Sequence, residues 1–231
     1  MIRAILFDKD GTLTDFRATW EPWMGGMIRD LADASGADAA DIADGFGFDL
    51  RTDTIPADAP FVTAPGYVTV ETVSRRIGWP KARLSDWLDP RSGSVEQVIV
   101  PGAVDVLRQL RDDGLKLGVL TNASEAEAMR HLAHMGATPH LTRIIGYDSG
   151  FGAKPDPRGA AHFADALGLA RHEVLLVGDG MTDMDAARGA GLMAVAVLTG
   201  TLDAVALAPH ALAVLPDVTH IQAWLTEQQT A

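Results

Sequence analysis

The stretch "IRAILFDKDGTLTD" (2–15) joins a short apolar run to two carboxylates, and it decides the fold. Residues 2–7 have the length of a strand and no polar alternation, which is typical of a parallel strand that is covered on both faces. Asp8 and Asp10 follow at once, and Gly11 comes next. Packing gives no reason to place like charges side by side at the end of a buried strand, so these residues point to chemistry.

Apolar runs of strand length recur along the second half of the chain. They lie at 115–120, 142–147, 173–178 and 193–198, with a weaker run at 211–215. Helical patterns separate them, at 102–114, 124–136, 156–168 and 181–191. This alternation predicts an α/β fold with a doubly wound parallel sheet, a Rossmann-like core with right-handed crossovers.

Residues 16–97 interrupt this rhythm. They hold four of the five tryptophans and several helical patterns. The stretch 48–66 is rich in Pro and Asp, which predicts a loop or a short hairpin. We interpret 16–97 as a mostly helical domain inserted after the first strand, and 1–15 with 98–231 as the catalytic core.

Composition limits the classes of function. The 231 residues carry a formal net charge of −12, which does not favour a nucleic-acid partner. The chain has no cysteine, which excludes disulfides and thiolate metal sites. No apolar run approaches the roughly 20 residues of a membrane span. The start "MIRAILFDKD" becomes charged too early for a secretory signal, so we expect a cytoplasmic protein without a membrane partner. The oligomeric state cannot be read from the sequence.

Polar residues follow the other predicted strands too. Thr121 and Asn122 follow the second strand, Lys154 comes a few residues after the third, and Asp179 and Asp183 follow the fourth. Each of them alone would be a common turn or helix-capping residue. Because the carboxyl ends of parallel strands meet at one edge of a sheet, we expect them around one site with Asp8 and Asp10.

Several carboxylates in one pocket stay ionised together only when a cation lies among them. Oxygen ligands without Cys or His favour Mg²⁺, which also binds phosphate oxygens. Lys154 adds a positive charge for a phosphate dianion. Backbone N–H groups around Gly11 and Asn122 could bind its remaining oxygens. The sequence therefore predicts a magnesium and phosphate site.

Asp8 is the natural nucleophile, because an aspartate is already an anion at neutral pH. Its attack on phosphorus would give an aspartyl-phosphate. If the chain stays extended, Asp10 lies on the same side as Asp8, while Lys9 faces away from both. Asp10 could then protonate the leaving oxygen and later activate water, a role that needs a raised pKa. We expect the neighbouring negative charges to supply that rise in the pKa of Asp10.

Four motifs in this order resemble those of the haloacid dehalogenase superfamily of phosphohydrolases: "DKDGTLTD", "LTNAS", "AKP" and "GDGMTD". The resemblance implies that Asp8 is the nucleophile and Asp10 the acid and base. It also implies that Thr121 and Lys154 stabilise the phosphate and the intermediate.

The same resemblance implies the metal ligands. Asp8 and Asp179 would bind Mg²⁺ together with the backbone carbonyl of Asp10, and Asp183 would hold a metal-bound water.

The position of the insertion resembles the phosphoglycolate phosphatase-like group, with "PGAVDVLRQLRDDGLKLGVLTN" leading into the second motif. This implies a helical cap that opens and closes on hinges near Phe16 and near Val100–Gly102. Trp20 and Trp23 adjoin the first hinge, so one of them could line the pocket. The candidates in the cap for binding a substrate carboxylate are Arg17, Arg51, Arg75 and Arg76.

The leading hypothesis is a Mg²⁺-dependent phosphatase that acts on a small phosphorylated metabolite, with phosphoglycolate suggested by the resemblance. A sugar-phosphate mutase on the same scaffold and a non-catalytic protein that binds phosphate esters remain open as alternatives. An acid at position 10 disfavours a dehalogenase. Phosphonate cleavage would need a lysine from the cap, where Lys81 is the one lysine in 16–97.

Overall fold

The computed structural model describes residues 1–230 and contains one sheet of six parallel strands. The strands are β1 (Ala4–Phe7), β2 (Lys116–Leu120), β3 (Arg143–Ile145), β4 (Val174–Gly178), β5 (Met193–Val197) and β6 (Val214–Leu215). Their order in the sheet is β3-β2-β1-β4-β5-β6. Each strand lies within a run that the sequence predicts, and the weak sixth run forms an edge. The predicted α/β fold is confirmed.

The helices within residues 16–97 are α1 (Phe16–Ser35), α2 (Ala39–Phe46), α3 (Pro60–Thr63), α4 (Gly66–Ile77) and α5 (Lys81–Ser92). The later helices are α6 (Ala103–Asp112), α7 (Glu125–His134), α8 (Arg158–Ala166), α9 (Met181–Ala190), α10 (Ala204–Leu207) and α11 (Ile221–Thr230). Within residues 1–230, no helix combines the length and the apolar character that crossing a membrane requires.

Both faces of the sheet are covered by helices. Ile5 and Phe7 pack into a hydrophobic cluster with residues of α6, α7 and α11. Ala4 and Leu6 pack into a second cluster with residues of α8 and α9 on the other face. This double burial explains why the strand sequences are apolar throughout and do not alternate.

Helices α1 to α5 pack around a third cluster, which includes Met24, Ile42, Val73 and Leu84. The predicted mostly helical character of this segment agrees with the structure, whereas the division of the chain at 15/16 and 97/98 stays a prediction. In the stretch 48–66, an antiparallel bridge joins Asp49 to Thr54, as a short hairpin would. The same stretch also contains α3, which the sequence did not predict; its first residue is a proline, which suits a helix N-terminus.

The chain enters and leaves the helical segment through two adjacent linkers. Thr14 forms an antiparallel bridge with Ile99. The N–H of Asp15 donates to Val98 O at 2.8 Å, and the N–H of Val100 donates to Leu13 O at 3.1 Å. Both predicted hinge regions therefore lie side by side at the edge of the core.

The strand order reverses beside β1. The chain moves from β1 to β2 and β3 on one side, then returns to β4 on the other side of β1. In open α/β sheets, ligands bind outside the carboxyl ends of the strands at such a reversal. The residues directly after β1 and β4 therefore flank the expected binding crevice.

The contact between β2 and α8 depends on a glycine. A Cβ atom at Gly118 would lie 2.5 Å from the ring of Phe163, whereas a Cβ at Gly26 in α1 would meet no atom within 4 Å. We expect Gly118→Ala to lower the free energy of unfolding by about 1–3 kcal/mol through overpacking. The matched change Gly26→Ala should raise it by about 0.5–1 kcal/mol, because alanine favours the helix. Urea unfolding followed by circular dichroism measures both, and equal stability of Gly118→Ala and the wild type would contradict the packing at β2.

Candidate active site

The strand ends around the reversal open into a cavity of about 360 Å³. Its floor contains most of the candidate residues predicted from the sequence: Asp8, Asp10, Thr121, Asn122, Lys154, Asp179 and Asp183. The topology thus brings together side chains that are up to 175 residues apart, the separation between Asp8 and Asp183. Their chemical roles stay predictions.

A buried lysine lies at the centre of this floor. The Nζ atom of Lys154 is 2.6 Å from Oδ1 of Asp8 and 2.7 Å from Oδ1 of Asp183. Burial disfavours the ammonium form, but the two carboxylates outweigh it and raise the pKa of Lys154 above its ordinary value. The side chain is therefore cationic at neutral pH, and it joins the end of β1 to the start of α9.

Asn122 holds this lysine through the main chain. Its Oδ1 accepts a hydrogen bond from the N–H of Lys154 at 2.8 Å, and its Nδ2 donates to the carbonyl of Lys154 at 3.0 Å. The neighbouring Thr121 is buried, and its Oγ1 accepts from the N–H of Ala123 at 3.2 Å. The Asn122 side chain thus positions Lys154, a task that the sequence did not suggest.

Asp179 lies in a cradle formed by two glycines. A Cβ atom at Gly11 would be 2.4 Å from Oδ2 of Asp179, and a Cβ at Gly200 would be 1.7 Å from the same oxygen. Only the absence of side chains at both positions leaves room for this carboxylate. The N–H of Gly11 donates to Thr14 O at 2.8 Å, so this donor is engaged within the protein, and the phosphate contact expected from the backbone around Gly11 stays a prediction. The tight turn after β1 uses this donor.

Three carboxylates meet beside Lys154. One oxygen from each of Asp8, Asp179 and Asp183 lies within 4.8 Å of the others. Burial raises the pKa of Asp8 to about 7, with Lys154 opposing and Asp183 adding to the rise. Burial and the charges of Asp8 and Asp183 raise the pKa of Asp179 well above its ordinary value. Asp8 and Asp179 therefore resist ionising together unless a further cation joins them. The all-oxygen set of the three carboxylates fits a hard divalent ion such as Mg²⁺.

Comparison with known proteins agrees with this arrangement. Residues 2–191 match the sequence profile of the haloacid dehalogenase-like hydrolases. This chain belongs to that family.

Several relatives of this haloacid dehalogenase-like hydrolase are named phosphoglycolate phosphatase. The protein from Rhodospirillum rubrum is 33% identical over 150 residues, which cover 63% of this chain but only 61% of that protein. The plasmid-encoded protein from Cupriavidus necator is 30% identical over 207 residues, covering 82% of this chain and 78% of that one. Among other relatives of this name, the match to the Mesorhizobium japonicum protein spans 45% of its length.

A solved structure has the same fold. It is the predicted phosphoglycolate phosphatase from Haemophilus somnus, which superimposes with a TM-score of 0.71 over 97% of this chain and 98% of that chain. The sequence identity is 18%, so this likeness establishes the fold and nothing about the substrate.

The sequence-based expectation for Lys9 is wrong in this hydrolase. Lys9 is fully buried, and its Nζ lies 2.5 Å from Oδ1 of Asp10. The chain stops being extended after Asp8, because the N–H groups of Leu13 and Thr14 both donate to Lys9 O, at 2.9 and 3.1 Å. Once the chain turns, strand alternation no longer predicts which side a residue faces.

The expected rise in the pKa of Asp10 is also wrong. The indole Nε1 of Trp20, from α1, donates to the same Oδ1 at 2.9 Å. Burial alone would raise the pKa of Asp10, but Lys9 and the Trp20 hydrogen bond outweigh it, and the pKa is lowered. The sequence showed the acids near Asp10 but not the two donors.

The arginines predicted to face the substrate do not line the cavity. Instead they form ion pairs within the helical segment: Arg17 with Glu21, Arg51 with Asp49, Arg75 with Glu71 and Arg76 with Asp44. The cation that this segment does place on the cavity wall is Lys81. Trp20 and Trp23 both line the cavity, which confirms the expectation that one of them would.

Gly200 is the residue that sequence reasoning missed. It follows the fifth strand in "LTGT" (198–201), one strand end beyond the four that were considered. Because the fifth strand also ends at this edge of the sheet, the rule that grouped the residues after the other strands predicts the location of Gly200 too.

We expect Gly200→Ala to displace Asp179 and weaken Mg²⁺ affinity by about 10- to 100-fold, as loss of a supporting contact does in metal sites. Because a ligand that binds the folded state raises the melting temperature, thermal unfolding at increasing Mg²⁺ concentration measures this change. Gly26→Ala is the matched control and should respond like the wild type. The same Mg²⁺ response in Gly200→Ala would show that Asp179 takes no part in binding the ion.

Proposed function

We propose that this protein is a Mg²⁺-dependent phosphatase that hydrolyses a small phosphate monoester through an aspartyl-phosphate. The observation that carries the proposal is the meeting of Asp8, Asp179 and Asp183 with Lys154 at the strand reversal. Crowded carboxylates beside one ammonium suit a divalent cation and an anionic substrate better than any structural purpose, since their burial is otherwise unfavourable. Membership of the hydrolase family supports the same reading.

Asp8, Asp179 and the backbone carbonyl of Asp10 would hold the ion, with Asp183 holding it through water. When bound, Mg²⁺ supplies positive charge that keeps the carboxylates ionised and offsets the charge of the phosphate. Lys154 already carries part of this compensation, and the cavity contains no sulfur or imidazole ligand from the described residues to attract a softer metal.

Asp8 would attack the phosphorus of the substrate. A bond forms between a carboxylate oxygen of Asp8 and phosphorus while the bond from phosphorus to the leaving oxygen breaks. Asp10 passes a proton to that oxygen; because its pKa is lowered in the free site, Asp10 would take up this proton when the negative charge of the bound phosphate raises its pKa. Water then attacks the phosphorus of the aspartyl-phosphate and gives a proton to Asp10. Inorganic phosphate leaves, and the carboxylate of Asp8 is restored.

The surrounding residues have distinct tasks in this scheme. Lys9 and Trp20 both bind Oδ1 of Asp10, which leaves Oδ2 for proton transfer. Lys154 and the hydroxyl of Thr121 would stabilise the charge on the transferred phosphate. The N–H of Asn122 donates to no acceptor within the described residues, so it is a further candidate for a phosphate oxygen.

The helical segment 16–97 would act as a cap. It contributes the cavity wall opposite the strand ends, and its two linkers run side by side, so rotation about them would open and close the cavity. Closure would exclude bulk water while the aspartyl-phosphate exists.

Asp8→Asn tests the chemistry. The amide keeps the shape of the side chain but is a poor nucleophile, so we expect kcat to fall by at least about 10³-fold while the fold is retained. Release of phosphate from 4-nitrophenyl phosphate and phosphoglycolate, with and without Mg²⁺, measures it. Asp105→Asn, at an exposed position on α6, is the matched control and should keep full activity.

Three other outcomes would count against the proposal. A wild-type protein that releases no phosphate from any monoester with Mg²⁺ would be a binding protein. Isomerised sugar phosphate without free phosphate would indicate a mutase. The covalent intermediate predicts that protein quenched during turnover retains radiolabelled phosphate, which hydroxylamine then releases. An active enzyme that retains no such label would argue against the intermediate.

A further inference from the structure

Three side chains form an aromatic wall on the cap side of the cavity: Trp20, Trp23 and Phe61. The ring of Trp20 is 5.4 Å from that of Trp23 and 5.4 Å from that of Phe61, each in an edge-to-face contact. All three line the cavity, and Trp23 and Phe61 are only partly covered by other protein atoms. Such partly exposed rings inside a cavity are suited to contact an apolar ligand.

The charges on the same side do not suit an anionic leaving group. No arginine among the described residues lines the cavity, and Lys81 is bound to Glu71, with its Nζ 2.9 Å from Oε2. Two further acids, Asp89 and Glu127, also line the cavity. A carboxylate placed here would meet three acids and one lysine that is already paired, so it would be bound weakly.

The size of the cavity also favours a bulky leaving group. Its volume of about 360 Å³ lies in the range of small-molecule pockets, about 300–1,000 Å³. A phosphate at the strand ends with a two-carbon leaving group would fill only part of this volume and would offer little apolar surface to the aromatic wall. A leaving group with a ring and a short chain would reach it.

We propose that the preferred substrates are monoesters of bulky, uncharged and mainly apolar alcohols, with an aromatic or similarly sized group against the aromatic wall. This inference rests on the proposed phosphatase function and names its substrate class. It separates this chain from its relatives named phosphoglycolate phosphatase, whose named substrate carries a carboxylate in the leaving group.

A series of primary alkyl esters tests the proposal, because their leaving oxygens are chemically alike. The series comprises 2-phenylethyl phosphate, ethyl phosphate, phosphoglycolate and the para-carboxylate of the phenylethyl ester. We expect kcat/KM for 2-phenylethyl phosphate to exceed that for ethyl phosphate and phosphoglycolate by at least about tenfold, from apolar contact. The para-carboxylate should lose about tenfold or more against its parent.

Equal or higher kcat/KM for phosphoglycolate would overturn the proposal, and so would a para-carboxylate as good as its parent. Binding separates this failure from that of the phosphatase function. Titration of Asp8→Asn with the same esters in Mg²⁺, followed by tryptophan fluorescence, should show tighter binding of the phenylethyl ester. If the phenylethyl ester binds selectively but the wild type turns over no ester, the phosphatase function is refuted and the proposed specificity stands. If the wild type turns over the esters with the opposite preference, the phosphatase function stands and the proposed specificity is refuted.

The aromatic wall can be tested by matched variants. Trp23→Leu should lower kcat/KM for 2-phenylethyl phosphate about five- to tenfold. The ratio of kcat/KM for 2-phenylethyl phosphate to that for ethyl phosphate should therefore fall. Trp79→Leu is the control, because Trp79 lies outside the cavity and stacks on Arg83 at 3.7 Å. An unchanged advantage in Trp23→Leu would show that the leaving group does not reach the aromatic wall.

A further variant tests whether the pairing of Lys81 with Glu71 disfavours an anionic leaving group. Glu71→Gln removes the carboxylate that pairs with both Lys81 and Arg75. It should raise kcat/KM for phosphoglycolate about fivefold or more relative to 2-phenylethyl phosphate, since the released ammonium of Lys81, which lines the cavity, can bind the substrate carboxylate. Glu96→Gln, at an exposed position outside the cavity, should leave the ratio unchanged. A fixed ratio in Glu71→Gln would refute the claim that the pairing of Lys81 excludes anionic leaving groups.

Discussion

The buried ammonium of Lys154 is the interaction on which the site depends. A lysine without contact with water is costly to fold unless carboxylates surround it, and Asp8 and Asp183 do so from two different parts of the chain. Asn122 fixes its backbone at the same time. One ammonium balances one of the three neighbouring carboxylates, and a divalent ion would balance the other two. The unequal number of buried charges therefore favours a cation beside these carboxylates, as the proposed Mg²⁺ would be.

The sequence predicts this constellation well because it depends on topology. Parallel strands end at one edge, so a residue that follows an apolar run has a known location even when its neighbours are unknown. The same rule explains why Asp8, Thr121 and Asp179 could be grouped from the sequence, and why Gly200 was available to the same search. The rule does not predict the path of the chain beyond the strand end. The chain is no longer extended after Asp8, so the prediction that Lys9 faces away from Asp8 and Asp10 is wrong.

Side-chain partners are the second point that the sequence left undetermined. Arginines on amphipathic helices find local carboxylates, as Arg17 does with Glu21 and Arg75 with Glu71, each four residues away along the helix. These pairs were present in the sequence, but a residue four positions away is a candidate partner and not a certain one. Which cations face the cavity depends on how the five helices of the segment pack, and their packing is decided by contacts between residues far apart in sequence. The helical character of 16–97 was therefore predictable, whereas its cavity wall was not.

Trp20 connects the two halves of the molecule. Its indole N–H binds Oδ1 of Asp10, and its ring belongs to the aromatic wall that faces the proposed leaving group. Lys9 and this contact outweigh burial and lower the pKa of Asp10, so they favour its carboxylate form. Because a single rigid side chain makes both contacts, any movement of α1 that repositions the aromatic wall also changes the hydrogen bond to Asp10. In the proposed reaction, binding of the leaving group and orientation of Asp10 would thereby be linked through one residue, without a longer pathway across the fold.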